Sequence, residues 1–247
     1  MSQGKRYLLT GASSGIGTAL ARELAAKGYD LALAARREDN LHLLAAELQA
    51  RFTCKVMVLP LDVTDYAACQ DAVGLAANAL GGLDGIIANA GIALTGKVGG
   101  GHFERARRTV ETNLIGAIAC LDAACALFRQ QGHGHLVAVA SVAGKRGLPH
   151  SPAYSASKAG LISYMEATRA ELLGKNIDTT LLLPGFIDTP LNSSMANRPF
   201  LIDVERGAAL IAKHIDKRHV SAYVPGWPWA LLGRVLPYLP TSMIGKF

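Results

Sequence analysis

Short apolar runs alternate with stretches of helical periodicity along most of the chain. Most of these runs are continuous rather than strictly alternating, which is typical of strands that are buried on both faces of a parallel sheet. The pattern predicts seven strands, at Tyr7–Thr10, Leu31–Ala35, Lys55–Leu61, Gly85–Asn89, His135–Ser141, Asp178–Leu183 and Ser221–Val224.

Apolar residues at helical spacing predict helices between the strands. The first two apolar faces consist of Ile16, Ala19, Leu20 and Leu24, and of Leu41, Leu44, Ala45 and Leu48. Longer helices are predicted from Phe103 to Arg129 and from about Ala153 onward. Such an alternation implies right-handed crossovers that place helices on both faces of the sheet. The sequence therefore predicts an α/β fold, a Rossmann-like doubly wound parallel sheet, in one domain over residues 1–247.

Composition narrows the class of protein. The chain has 247 residues, of which 50% are hydrophobic and 18% are charged, so it resembles a globular protein rather than a disordered one. The formal net charge is +6, but no Lys/Arg run exceeds two residues, so we expect no nucleic-acid partner. The four cysteines form no CxxC pair and no histidine cluster accompanies them, so we expect no metal site.

The start of the chain is polar and leads directly into the first predicted strand, so no signal peptide is expected. No uninterrupted apolar run is long enough to span a membrane. We therefore expect a cytoplasmic protein without a membrane span.

A glycine-rich turn follows the first predicted strand and precedes an amphipathic helix. In it, Gly11 would permit a tight reversal, Gly15 would let the backbone approach a pyrophosphate, and Gly17 would let the helix pack closely. The helix N-terminus offers unpaired N–H groups to phosphates. A plain strand-to-helix turn is the alternative interpretation. The residues that would line a dinucleotide here are Gly11, Ser13, Ser14, Gly15, Ile16 and Gly17.

The end of the second predicted strand indicates which dinucleotide would bind. An acidic residue about 20 residues past the glycines would bind the ribose 2′-hydroxyl of NAD. Here the strand ends in Ala34-Ala35-Arg36-Arg37 instead. Guanidinium groups suit a 2′-phosphate, which favours NADP(H). The alternative is that both arginines are solvated and partly neutralised by Glu38 and Asp39.

Tyr154 and Lys158 stand four residues apart, so they share one face of a predicted helix. An ammonium close to a phenol lowers its pKa from about 10, toward the range useful for general acid/base catalysis. Ser141 ends a buried strand, at the sheet edge where ligands bind in open α/β folds. Asn113 lies among apolar residues inside a predicted helix, where asparagine is unfavourable unless it has a specific partner.

These motifs occur in the order found in short-chain dehydrogenases/reductases, and from about Arg6 to Val224 the chain resembles the compact, single-domain members of that family. Thr10–Gly17 resembles the TGxxxGxG turn, and the aspartate of Asp62-Val63 resembles the adenine-contacting residue. Asn89-Ala90-Gly91 resembles the family's NAG motif. The family usually has a further asparagine directly before this motif, and here Ala88 takes its place. Its PG motif is similar to Pro184-Gly185, after which Ile187 and Thr189 would contact the nicotinamide carboxamide.

The resemblance implies an NADP(H)-dependent oxidoreductase whose catalytic tetrad is Asn113, Ser141, Tyr154 and Lys158. Tyr154 would exchange a proton with the oxygen of a carbonyl or secondary alcohol, while hydride moves to or from carbon. Lys158 would lower the tyrosine pKa and hold the nicotinamide ribose. Ser141 would stabilise the developing alkoxide, and Asn113 would hold a water molecule.

Two alternative functions remain open at this point. One is a non-catalytic NADP(H)-sensing protein, against which the complete tetrad argues. The other is a sugar-nucleotide epimerase or dehydratase, which generally carries an added C-terminal domain for which this chain has no room. The segment from about Leu191 to Val204 would cover the substrate, and its apolar residues suit a small molecule such as an apolar ketone, aldehyde or 3-oxoacyl compound. The alternative interpretation is that these residues only pack the lid itself, as any lid requires.

The Trp/Pro-rich tail, residues 225–247, has three interpretations. It packs on its own domain or across a subunit interface, it narrows the substrate pocket, or it rests on a membrane surface. The predicted long helices resemble the pair that assembles subunits in this family, so a homodimer or homotetramer is expected.

Overall fold

The computed structural model describes residues 4–244 and contains a seven-stranded sheet in which all paired strands are parallel. The strands stand in the order β3-β2-β1-β4-β5-β6-β7, so the order reverses between β1 and β4. Each predicted strand is present, with ends within two residues of those predicted. They are β1 (Arg6–Thr10), β2 (Asp30–Ala35), β3 (Val56–Pro60), β4 (Gly85–Ala88), β5 (Gly134–Val139), β6 (Ile177–Pro184) and β7 (Ser221–Val224).

Helices cover both faces of the sheet and bury two separate apolar layers. One layer packs under α1, α2 and α7, and the other packs under α3, α5 and α6. The predicted doubly wound α/β fold is thus confirmed. The helices are α1 (Gly15–Ala26), α2 (Glu38–Arg51), α3 (Tyr66–Leu80), α4 (Phe103–Val110), α5 (Gly116–Gln131), α6 (Pro152–Glu171), α7 (Val204–Asp216), α8 (Trp229–Val235) and α9 (Thr241–Ile244).

Local signals set several helix ends. The Asp65 carboxylate accepts a hydrogen bond from the Ala68 N–H at 3.0 Å and so caps α3. That helix ends at Gly81, which adopts a left-handed conformation with φ of 76°.

Both β4 and β5 are buried over their full length, which explains their continuous apolar sequence.

The longest helix runs from Phe103 to Gln131, because a π-helical turn at Glu111–Ile115 joins α4 to α5. It contains an 18-residue window with mean hydropathy 1.5, so it is long and apolar enough to cross a membrane. The expectation concerned uninterrupted apolar runs and still holds, because Asp122 divides the apolar sequence of this helix. Core helices of globular proteins pass the same test, and the inner face of this one packs in the layer that also contains α3.

The tail packs on its own domain through Trp229, whose side chain lies in the same apolar layer as α3, α5 and α6. A second tether is Arg146, which donates hydrogen bonds to the carbonyl oxygen of Leu239 and to Thr241 Oγ1. Trp227 and Tyr238 are instead exposed to solvent. The interpretation that the tail packs on its own domain therefore holds for Trp229. The last three residues of the tail, 245–247, lie outside the described range.

Candidate active site

The glycine turn between β1 and α1 lies at the carboxyl end of the sheet, beside the point where the strand order reverses. Gly11 has φ of 69°, and a Cβ there would lie 2.7 Å from the Cα of Ala90. Gly15 has φ of 55°. A Cβ on Gly17 would lie 2.1 Å from the Gly11 carbonyl oxygen, so α1 starts in direct contact with the turn. These positions exclude side chains and form an open backbone cradle at a helix N-terminus, which suits a pyrophosphate.

The segment Asn89-Ala90-Gly91 holds this turn in place. Thr10 Oγ1 accepts hydrogen bonds from the backbone N–H groups of Asn89 and Ala90, both at 3.1 Å. In return, Asn89 Nδ2 donates to the carbonyl oxygen of Thr10 at 3.0 Å. The β1 and β4 ends are therefore locked together, and Ala88 is buried within β4. The structure brings the predicted NAG motif against the predicted phosphate turn.

Arg37 lies across the serines of the turn. Its Nε and Nη2 atoms donate to Ser13 Oγ at 3.2 and 3.1 Å, and Nη2 also contacts Ser14 Oγ. Asn40 donates to the Ser13 carbonyl oxygen at 3.3 Å. A guanidinium, two hydroxyls and an amide thus converge at the end of β2, which is the chemistry that recognises a phosphate group.

Arg36 points away from Arg37, toward Asp62 at the end of β3. Arg36 Nη1 lies 3.7 Å from Asp62 Oδ2. Burial opposes ionisation of Asp62, but two hydrogen bonds from Thr64 and the charges of Arg36 and Arg108 hold its pKa below the usual value. Glu38 lies 3.4 Å from His42 Nε2, and within residues 4–244 neither Glu38 nor Asp39 forms an ion pair with Arg36 or Arg37.

A cavity of about 370 Å³ opens next to this pair and is almost entirely polar. Asp62 lies on its wall, where the resemblance placed a contact with adenine. Val63, by contrast, is buried in the core, and its carbonyl oxygen accepts a hydrogen bond from Cys69 Sγ at 3.5 Å. The cavity is lined by Arg36, Asp62, Thr64, Glu104, Arg107, Arg108, Glu111 and Thr112.

Asn113 lies fully buried in the π-helical turn Glu111–Ile115. Its side chain forms a pair of 2.8 Å hydrogen bonds with the N–H and the carbonyl oxygen of Ile92, and it also donates to Ser157 Oγ at 3.2 Å. Both amide hydrogens are therefore used. A water molecule at this position would have to bind a main-chain group or the remaining lone pair of Oδ1.

Ser141, Tyr154 and Lys158 come together where β5 ends and α6 begins. Ser141 Oγ donates to the Pro184 carbonyl oxygen at 3.4 Å and accepts from the Ala143 N–H at 3.1 Å. Lys158 Nζ donates to the Val139 carbonyl oxygen at 2.8 Å and lies 5.9 Å from the centre of the Tyr154 ring. A Cβ on Gly91 would lie 3.6 Å from Lys158 Nζ, so Gly91 leaves space beside the amine.

Burial moves the pKa values of the two ionisable groups, Tyr154 and Lys158, in opposite directions. Burial raises the pKa of Tyr154 above 10, although its contact with Ser141 acts in the opposite direction. Burial lowers the pKa of Lys158 from 10.5 to about 8. The expected lowering of the tyrosine pKa is thus not present in the chain alone, because burial of the phenol raises its pKa more than the contact with Ser141 lowers it. Tyr154 is a protonated phenol at neutral pH, which suits proton donation.

The segment after β6 contributes the fourth side of the site. Thr189 is buried and approaches the glycine turn, since a Cβ on Gly15 would lie 3.3 Å from Thr189 Cβ. Ile187 is buried in the core against Gly207, and its carbonyl oxygen accepts a hydrogen bond from Asn192 Nδ2 at 2.9 Å. Pro184 and Gly185 lie next to Ser141. All predicted cofactor and tetrad positions therefore surround one edge of the sheet.

The resemblance did not single out Ser157, which connects two members of the tetrad. Its hydroxyl accepts from Asn113 Nδ2 and donates to the Tyr154 carbonyl oxygen at 2.8 Å. The spacing of three residues from Tyr154 was the available signal, since it places both on one face of α6. Among residues 4–244, no cluster of three or more His, Cys, Asp or Glu side chains is arranged to hold a metal ion.

Comparisons with known proteins agree with this architecture. A family model described as short chain dehydrogenase matches residues 5–199. An uncharacterized oxidoreductase of Mycobacterium tuberculosis is 39% identical over 245 residues, which is 98% of this chain and 97% of the relative.

Two solved structures superpose closely. One is an alcohol dehydrogenase from the archaeon Thermococcus sibiricus complexed with 5-hydroxy-NADP, with a TM-score of 0.81, 26% identity, and coverage of 89% of this chain and 95% of that one. The other is a short-chain type dehydrogenase/reductase from Mycobacterium marinum, with a TM-score of 0.83, 27% identity, and coverage of 91% and 95%. The chain therefore belongs to the short-chain dehydrogenase family and is an oxidoreductase of that family.

Proposed function

We propose that this protein is an NADP(H)-dependent oxidoreductase that interconverts a carbonyl group and a secondary alcohol. The observation that carries the proposal is the convergence of Ser141, Tyr154 and Lys158 on the sheet edge that also holds the glycine turn. The residues present fit a dinucleotide, since Gly11, Gly15 and Gly17 leave a cradle that any Cβ would fill.

The chemistry follows from the groups on this edge. A bound nicotinamide supplies or accepts the hydride. Tyr154, protonated at neutral pH, donates its phenolic proton to the carbonyl oxygen as the alkoxide develops. Ser141 donates a hydrogen bond to the same oxygen. Lys158 has three N–H donors, of which Val139 takes one, so the others can bind ribose hydroxyls.

Preference for NADP(H) is supported by Arg37, which already lies on Ser13 and Ser14 where a 2′-phosphate would sit. The Thermococcus sibiricus relative binds an NADP derivative, which is consistent with this choice. Arg36 is the second cation, although its contact with Asp62 directs it toward the adenine side. We therefore assign the larger share of phosphate recognition to Arg37.

Titration with NADPH and NADH, followed by nicotinamide fluorescence, tests the cofactor preference. Replacing Arg37 with alanine removes a charge-assisted contact, so we expect the Kd for NADPH to rise by about 10- to 100-fold and that for NADH to stay unchanged. Arg51→Ala is the matched control, because Arg51 is an exposed arginine of α2 that pairs with Glu47. Equal affinity for both cofactors in the native protein would contradict the NADP(H) assignment.

A screen of carbonyl compounds with NADPH tests the activity itself. Tyr154→Phe keeps the ring but removes the proton donor, so we expect loss of turnover with NADPH binding intact. Near-normal turnover in this variant would remove Tyr154 from the mechanism. Tight NADPH binding by the native protein with no turnover of any ketone, aldehyde or 3-oxoacyl compound would favour the non-catalytic sensor instead.

Assembly is a separate proposal. We propose a homodimer or homotetramer that forms through the long helix Phe103–Gln131 and α6, which pack side by side. Light scattering of the purified protein measures its mass directly. A monomer at micromolar concentration would contradict this assembly.

A further inference from the structure

The outer side of the tail exposes a set of large apolar side chains. In α8, Leu231 and Val235 stand four residues apart and share one face of the helix, which lies opposite the buried face that contains Trp229 and Gly233. We call the exposed set the apolar stripe, and it consists of Trp227, Leu231, Val235, Tyr238 and Met243.

The composition of the tail suits the boundary between lipid and water. Trp227 is 77% exposed and Tyr238 is 86% exposed, so the rest of residues 4–244 covers neither ring. Tryptophan and tyrosine concentrate at membrane interfaces, because the ring contacts lipid while its polar group stays in water. From Lys217 to Phe247 the sequence contains no aspartate or glutamate. The stripe therefore lies in a segment that has no charge to repel an anionic surface.

A cavity of about 220 Å³ lies beside the stripe, between α6 and α8. Three basic side chains line it, and they come from three separate segments: Lys145, Arg169 of α6 and Arg234 of α8. Among residues 4–244, none of the three forms an ion pair. Glu166 is the acidic residue on the wall, so three cations face one carboxylate and the cavity is positively charged.

Two connections place the cavity and the stripe on one surface. Arg234 lines the cavity and directly precedes Val235 of the stripe on α8. Lys145 also lines the cavity, and the next residue, Arg146, donates hydrogen bonds to the tail segment Leu239–Thr241. The part of the tail that carries the stripe therefore borders the cavity at two points.

The cavity lies on the side of α6 that faces away from the long helix. Glu166 and Arg169 stand nine residues after Ser157 and Gly160, which is two and a half turns and places the two pairs on opposite sides of α6. Ser157 accepts a hydrogen bond from Asn113, and Gly160 packs against the same long helix. Contact with the long helix therefore leaves the cavity side of α6 uncovered.

We propose that the apolar stripe and the basic cavity form one docking surface for a membrane leaflet that contains anionic phospholipid. The stripe enters the interfacial region, and the cations of the cavity bind the phosphate oxygens of a headgroup. Charge complementarity selects this occupant, because a symmetric contact with a second copy would place two positively charged surfaces against each other. Docking of this kind is peripheral and does not depend on the proposed activity.

Vesicle flotation tests the contribution of the charges. The native protein should float with phosphatidylcholine vesicles that contain about 30% phosphatidylglycerol, and not with phosphatidylcholine alone. Arg169→Gln and Arg234→Gln should each weaken partitioning about 5-fold. Lys27→Gln is the control, because Lys27 is an exposed cation at the end of α1, on the other face of the sheet, and its replacement should have a much smaller effect. Equal binding of the native protein to both vesicles, or binding to neither, would overturn the proposal.

Replacing an apolar residue tests the stripe independently. Leu231→Gln should weaken partitioning into the anionic vesicles about 10-fold, because it removes the leucine from the contact. Leu43→Gln is the matched control, since Leu43 is an exposed leucine of α2, which packs on the other face of the sheet. Light scattering without vesicles distinguishes the alternative occupant. A decrease in mass in Leu231→Gln, with vesicle binding unchanged, would make the stripe a subunit contact and overturn the proposal.

Discussion

Replacing Lys158 with methionine should abolish turnover and raise the free energy of unfolding at neutral pH, because both effects follow from removing one buried ammonium group. Lys158 is 4% exposed, and burial lowers its pKa from 10.5 to about 8. The folded chain therefore holds this proton more weakly than the unfolded chain does. At about 1.4 kcal/mol per pH unit, keeping the ammonium buried lowers the free energy of unfolding by about 3 kcal/mol at pH 7.

The sign of the pH dependence follows from the proton count. Between pH 8 and 10.5 the unfolded chain binds more protons than the folded chain, so the free energy of unfolding rises with pH in this window. From pH 7 to pH 9.5 the native protein should gain about 2 kcal/mol relative to Lys158→Met, which cannot titrate. At pH 7 the variant loses the hydrogen bond to Val139, which offsets about 1 to 3 kcal/mol of its advantage.

Urea unfolding at pH 7, 8.5 and 9.5, followed by tryptophan emission without cofactor, measures this difference. Lys175→Met is the control, because Lys175 is exposed after α6 and its replacement should leave the native pH dependence intact. Parallel curves for the native protein and Lys158→Met would show that the ammonium is not desolvated. Turnover by Lys158→Met should be lost at every pH, since no cation then faces the ribose.

Two further predictions concern the glycine turn and the sheet core. Gly17→Ala places a Cβ 2.1 Å from the Gly11 carbonyl oxygen, so we expect the free energy of unfolding to fall by at least about 2 kcal/mol and NADPH binding to be lost. Gly74→Ala is the control, because position 74 faces open space within α3 and alanine there should stabilise the helix slightly. His135 is buried between Tyr7 and Thr180, and burial lowers its pKa from 6.5 to about 3. Below pH 6.5 the unfolded chain therefore binds more protons than the folded chain. Lowering the pH to 4.5 should reduce the free energy of unfolding of the native protein by about 2 to 3 kcal/mol through this group, and that of His135→Gln by much less. Urea unfolding at both pH values measures the difference.

The sequence predicted the strands well because each is a continuous apolar run bounded by polar or glycine-rich segments. In β5 all six residues are buried, and a run of that length is typical of a strand, whereas helices usually need at least about 10 residues. Strand ends were less accurate, since Ser141 was placed inside β5 whereas the strand ends at Val139. The serine instead caps the short 3₁₀ turn Val142–Gly144, through a hydrogen bond that depends on the local backbone.

Side-chain partners were beyond prediction where they depend on distant segments. The polar character of Asn113 within an apolar helix indicated a specific role, but its partners Ile92 and Ser157 lie 21 and 44 residues away in sequence. The π-helical turn that positions it has no sequence pattern of its own. Likewise, the two arginines after β2 looked equivalent, whereas packing directs Arg37 to the serines and Arg36 to Asp62.

The tail shows a third limit of sequence reasoning. Its tryptophans look alike in composition, yet Trp229 is buried against Gly185 and Trp227 is exposed. Their difference arises because α8 packs on β7, with Gly233 allowing close approach to the Tyr223 ring. Interface and membrane contacts of the exposed residues stay predictions, as does the cytoplasmic location.

The chain order of the site bears on how family members can be recombined. The glycine turn, the arginines after β2 and the polar cavity beside Asp62 all come from residues before Asn113, whereas the segment expected to cover the substrate lies after Pro184. A crossover just after Ser141 would therefore exchange substrate preference between relatives and keep cofactor preference. Ser141 and Lys158 bond across that junction to the main-chain oxygens of Pro184 and Val139, whereas Asn113 bonds across it to the side chain of Ser157. Functional chimeras should be those whose parents supply a compatible pair at these two positions.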